Sequence, residues 1–160
     1  MMKFELRRIA EMITNLSLNL SDKQEVIPMK QNEKPPDDNI LPVFPLQNWQ
    51  HFCDLENLLH SNEVANRQLE KMLFKRGGRD PSEFIRRILS KLFSNELAVR
   101  VSWLGRKQNK RLEGTIVART IFAVIKLRYK NYDDRDIETK IIDWFRRAND
   151  RIPKNRNIND

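Results

Sequence analysis

Asp80-Pro-Ser-Glu-Phe-Ile-Arg-Arg-Ile-Leu-Ser-Lys-Leu92 reads as a helix from its first residue to its last. Asp80 has the short acceptor side chain that helix N-caps favour. Pro81 sits in the first turn, where its missing N–H costs nothing, and Glu83 can close a capping box. Phe84, Ile85, Ile88, Leu89 and Leu92 then fall on one face of a 3.6-residue period.

The same grammar extends in both directions. Upstream, Gly77-Gly78 allow a left-handed stop to a helix that Ser61 can cap and that carries Val64, Leu69, Met72, Leu73 and Phe74. Before it, Asn48 caps a helix through about Leu59, with Trp49, Phe52, Leu55, Leu58 and Leu59 on one side. Pro42 and Pro45 favour an extended entry, with Val43, Phe44 and Leu46 as anchors on the core. Downstream, Ser94 caps a short helix, and a Trp103-Leu-Gly105 turn leads into a basic loop. A helix then runs from about Thr115 to Lys130. Ile116, Val117, Ile121, Phe122, Val124, Ile125 and Leu127 cover most of its circumference, which predicts a central position. Asn131 and Asp133 to Asp136 turn the chain into a last helix with Ile137, Ile141, Trp144, Phe145 and Ala148 as its stripe. No two runs alternate as strands around a hairpin turn, and the chain has only 4 glycines. The expected fold is all-α, a compact multi-helix bundle of about five to six helices over 42–150.

Residues 1–20 stand apart. Leu6, Ile9, Ile13, Leu16 and Leu20 alternate three and four apart, the spacing of a coiled-coil seam. That seam suits self-association into a homodimer, or docking of a single amphipathic helix on its own domain. Residues 21–41 lose periodicity and contain Pro35-Pro36 among polar neighbours, so they read as a flexible linker. Residues 151–160 are polar and read as a frayed tail.

Charge divides the chain unevenly. Its 160 residues carry a formal net charge of +8. Residues 1–74 hold 8 Lys and Arg against 11 Asp and Glu, whereas residues 75–160 hold 22 against 11. A basic half on a mildly acidic one points to a polyanionic partner, although Lys- and Arg-rich solvent faces of helices would produce the same count. Cys53 is the single cysteine, which excludes an internal disulfide and fits a reducing, intracellular compartment. No apolar run approaches the ~20 residues that span a bilayer, so no membrane partner is expected.

Catalytic patterns are missing. His51 and His60 are nine apart and do not share a helix face, so with Cys53 they make a poor metal site. There is no Gly-rich phosphate loop, nucleophile elbow or zinc-spaced cysteine pair. Asp133, Asp134 and Asp136 suit a helix start, where carboxylates meet the positive end of the dipole. The expectation is a non-enzymatic protein with no cofactor.

The bases themselves form a pattern. Arg106, Lys107, Lys110 and Arg111 lie in one interhelical loop that Gly105 allows to reverse sharply. Arg119, Lys126 and Lys130 are seven and four apart on the central helix, and Lys140, Arg147 and Arg151 repeat that spacing at the last one. If the loop and one stripe face the same way, they form a track for a phosphate backbone. Trp103 beside the loop suits a core anchor better than a stacking platform.

Five motifs occur in order: Pro45-Leu46, Gly77-Gly-Arg-Asp80, Phe84-Ile-Arg-Arg87, Leu92-Phe-Ser-Asn-Glu-Leu-Ala98 and Ser102-Trp-Leu-Gly-Arg-Lys107. Over about residues 42–150 the chain resembles an uncharacterised domain of invertebrate proteins, many of transposon- or chromatin-associated character. Residues 85–150 are more distantly similar to the BEN domain, an all-α module that binds DNA and mediates protein contacts in transcriptional repressors. The resemblance implies DNA contact through the later helices and adjoining loops, and pairing with a related domain. It transfers no individual contact residue. The resulting expectation is a nuclear adaptor that associates with DNA through its basic C-terminal half, or else a protein–protein or self-association module.

Overall fold

A computed structural model of the chain describes residues 38–154. The 3–20 segment with Leu6, Ile9, Ile13, Leu16 and Leu20 lies outside the described residues, as do most of the expected linker and residues 155–160. From Asn39 to Lys154 the described residues belong to one compact unit. Its helices are α1 (Trp49–Ser61), α2 (Glu63–Phe74), α3 (Pro81–Leu92), α4 (Asn95–Ala98), α5 (Ile116–Arg128) and α6 (Asp134–Arg146). A 3-10 turn over Ala148–Arg151 follows α6. The architecture is the expected all-α bundle.

Each helix begins where a side chain accepts its orphan amides. Asn48 caps α1, Asp80 caps α3 with the Glu83 N–H at 2.8 Å, Ser94 caps α4, Thr115 caps α5 and Asp133 caps α6. The cap of α2 is Asn62, not Ser61. Ser61 stays inside α1 and donates its hydroxyl to the Asn57 carbonyl at 3.1 Å. Glu83 also departs from a simple capping box. Its carboxylate passes the cap residue and accepts the Arg79 N–H at 2.8 Å, while Arg87 bonds its other oxygen at 2.8 Å.

This arrangement makes α3 sensitive to acid. The Arg79 backbone N–H, then the Arg79 side chain, then the Arg87 charge hold the Glu83 carboxyl down to about 2 from the ordinary 4.5. A depressed pKa stabilises the fold only while the group is ionised. Its contribution is therefore complete above about pH 4.5 and lost as pH falls toward 2. Thermal melts across that window should show wild-type stability falling more steeply than that of Glu83→Gln. Parallel curves would remove Glu83 from the account.

The core is continuous from Leu41 to Ala148. Helix α2 packs on α5, α3 on both α5 and α6, and α1 on α2 and α5. The α3 stripe Phe84, Ile85, Ile88, Leu89 and Leu92 is fully buried, and Ile137, Ile141, Trp144 and Phe145 of α6 are buried as well. Phe93 is the hub, with ring centroids 5.9 Å from Phe52, 6.4 Å from Trp144 and 5.2 Å from Phe145. Leu46 pairs in parallel with Phe93, donating its N–H to Leu92 O at 2.8 Å and accepting the Ser94 N–H at 3.0 Å. Those bonds hold the extended entry on the end of α3.

Several apolar residues are not where the pattern alone puts them. Val43 is 91% exposed, so Leu41, Phe44 and Leu46 anchor the entry without it. Leu41 is itself in the core, one residue before the expected 42 boundary. Val64, Phe74 and Leu127 are exposed, and α5 is central on one side only, because no described element covers its Leu127 edge. At the other end, Ala148 is buried and Arg151 is half-buried, so the frayed tail does not begin at 151.

Candidate nucleic-acid interface

The basic loop is framed by backbone pairing that two-residue strands are too short to reveal in a sequence. β1 (Val101–Ser102) and β2 (Lys110–Arg111) pair in parallel, with Lys110 N–H to Arg100 O at 2.8 Å and Leu112 N–H to Ser102 O at 3.0 Å. Between them the chain is tied twice more, Arg106 N–H to Ser102 Oγ and Asn109 N–H to Arg106 O, both at 3.1 Å. Gly105 has a φ of +70°, and a Cβ there would sit 2.9 Å from Arg111 Cβ, so both backbone conformation and space call for glycine. Lys107 and Gln108 follow with φ of 55° and 64°, two consecutive left-handed residues that are not glycine. Such conformations are costly and tend to mark functional turns.

The loop's four bases are all exposed, but they differ in their partners. Arg106 and Lys107 make no side-chain hydrogen bond or ion pair among the described residues. Lys110 lies 5.9 Å over the Trp49 ring, and Arg111 pairs with Glu113. Trp103, beside the loop, is a core residue stacked on Phe122 at 5.7 Å, and its indole N–H is buried without a partner among the described residues.

The helical bases divide similarly. Arg119 is exposed and edges a shallow hollow with Trp103, Gly114 and Phe122. Lys126 is half-buried and committed to Asp134 at 2.6 Å and to the Tyr132 carbonyl, so it ties α5 to the start of α6. Lys130, Lys140 and Arg147 are exposed. Arg151 is held in place by three contacts. Its Nε donates to Asn95 Oδ1 at 3.0 Å and its Nη1 to Trp144 O at 2.8 Å, with the guanidinium 4.0 Å over the Trp144 ring. Burial pushes its pKa down, opposed by the Asp150 charge.

Several of these bases line two separate clefts. Helix α6 is a ridge between two clefts of about 340 Å³ each. On one flank Arg106 and Lys107 face Arg146 across a floor of Val101, Trp103, Ile142 and Phe145. On the other, Lys140, Arg147 and Arg151 meet Arg86 of α3 beside Trp144. The loop therefore shares its cleft with Arg146, not with the Lys140 stripe. Arg86 and Arg146 are the residues that spacing alone missed. Arg146 follows buried Phe145 and lies four after Ile142, which places it on the loop-side flank. Nothing local marks Arg86, because only folding brings α3 beside α6.

Among the described residues, no three His, Cys, Asp or Glu side chains gather as metal ligands. No described helix is long and apolar enough to cross a membrane. No curated protein and no solved structure matches the chain. One family model does, described as a domain of unknown function (DUF4806), over residues 41–124. That span holds α1 to α4, the basic loop and most of α5, and it ends before α6. Covering more than half of the 160 residues, the match places the chain in the DUF4806 family.

Proposed function

We propose that this protein is a non-enzymatic nuclear adaptor that associates with duplex DNA through its basic C-terminal half. The observation that carries this reading is the loop tip. Arg106 and Lys107 are exposed and unneutralised among the described residues, on a backbone tied at both ends and held left-handed at Lys107 and Gln108. Bases presented this way contact phosphates, with counterion release as the driving term. The similarity of residues 85–150 to the BEN domain supports the same assignment.

Replacing Arg106, Lys107, Lys110 and Arg111 with Ala tests it. Stability should hold, because exposed charges contribute little to folding. Duplex affinity, followed by fluorescence anisotropy, should fall roughly tenfold and about equally for unrelated sequences, since phosphate contacts position without reading bases. Unchanged affinity would clear the loop of any role.

One feature favours a second reading, a protein–protein or self-association module. A groove of about 450 Å³ between α2 and α5 is lined by Phe74, Val124 and Leu127, with Leu127 66% exposed. This reading gains if the protein ignores duplexes and Leu127→Glu lowers its oligomeric state.

A further inference from the structure

We infer that the cleft between α3 and α6 is a second phosphate site, distinct from the basic loop, in which Arg86, Lys140, Arg147 and Arg151 hold one phosphate group. That the phosphate comes from the backbone of the same duplex rests on the reading above.

The site is assembled from three places in the chain. Lys140 lies on α6 and Arg147, seven residues on, caps its C-terminal end, Arg86 comes from α3, and Arg151 comes from the turn after α6. All four line the same cleft of about 340 Å³. Arg86, Lys140 and Arg147 enter no ion pair among the described residues. The one carboxylate lining the cleft, Asp143, is committed to Arg146 at 2.9 Å. Converging cations that outnumber the nearby carboxylates raise the local potential and concentrate an anion.

Arg151 adds an independent observation. Asn95, the Trp144 carbonyl and the Trp144 ring fix its guanidinium, yet its Nη2 is buried with no hydrogen-bond partner among the described residues. A guanidinium fixed this way sets a localised positive charge in the cleft wall before any ligand arrives. Ser82 and Ser90 supply hydroxyl donors to the same cleft. On the loop side, by contrast, Arg146 is already paired and the floor is apolar. The two flanks of α6 thus differ in chemistry, and the α3 flank suits a small, multiply charged anion.

The test titrates the full chain with inorganic phosphate and follows amide and arginine side-chain NMR shifts. Saturable shifts should centre on Arg86, Lys140, Arg147 and Arg151, persist in the loop variant, and disappear in Lys140→Ala/Arg147→Ala. That double variant should also bind duplex with a salt slope shallower by about 1, the loss of one phosphate contact. Arg86→Ala, on a different helix, gives the same reading should the α6 pair disturb folding. Shifts spread over all Lys and Arg without saturation would overturn the inference, as would an unchanged salt slope in both variants. Saturable binding of phosphate in the cleft by a protein that binds no duplex would keep the site and defeat the duplex reading.

Discussion

Replacing Phe93 with Ala should destabilise the domain by roughly 3–5 kcal/mol, the range for truncating a buried phenylalanine. The residue is 1% exposed and touches aromatic rings from α1 and α6, and the extended entry pairs beside it through the Leu46 bonds to Leu92 and Ser94. Truncation opens a cavity where three elements meet, and none of them can move in alone without leaving its own contacts. Since small domains are stable by about 5–15 kcal/mol, most of the margin would be gone. Urea denaturation followed by circular dichroism measures this directly. Val43→Ala, at a residue 91% exposed, serves as the control and should have an effect near zero. A Phe93→Ala loss below about 1 kcal/mol would mean the hub is not packed as described.

The second large effect is expected at Glu56. Its carboxylate, on α1, accepts the Ile116 N–H at 3.0 Å and the Val117 N–H at 2.7 Å, the first amides of α5. It therefore caps a helix that begins sixty residues later and places a negative charge at the positive end of that helix. Glu56→Ala removes both acceptors and should cost about 1.5–3 kcal/mol, the range for hydrogen bonds to a charged group. Glu56→Gln keeps one carbonyl acceptor and should cost less. The same urea titration orders the three proteins. Equal stability of wild type and Glu56→Ala would show that water satisfies those amides instead.

Glu56 also shows where sequence reading stops. Local rules located Asn48, Asp80, Ser94 and Asp133 at helix starts because a cap acts within three residues of itself. The α3 and α6 stripes were legible because a helix buried on one side carries its own period. A cap supplied from sixty residues away leaves no local trace, and neither does a hub such as Phe93, whose importance lies in its neighbours. Leu127 was misplaced because α5 is apolar nearly all round. Its period could not say which edge other helices would cover. Ser61 and Asn62 are both good caps side by side, and the turn between α1 and α2 chose the second.

The basic surface was legible to a similar extent. Composition marks the C-terminal half as basic, and spacing groups Lys140 with Arg147 on one stripe. It could not reveal that Lys126 is committed to Asp134, that Arg151 is held by Asn95 and Trp144, or that α6 divides the bases into two clefts. Those facts depend on which helices meet.

Duplex binding by the intact protein across a salt series tests the central claim most directly. A protein using both flanks of α6 should bind unrelated duplexes at low salt. The logarithm of its binding constant should fall linearly with the logarithm of salt concentration, at a slope of about −0.9 per phosphate contacted and about −3 or steeper in total. No duplex binding at low salt, or binding that salt does not weaken, would contradict the account and leave the bases as solvated surface.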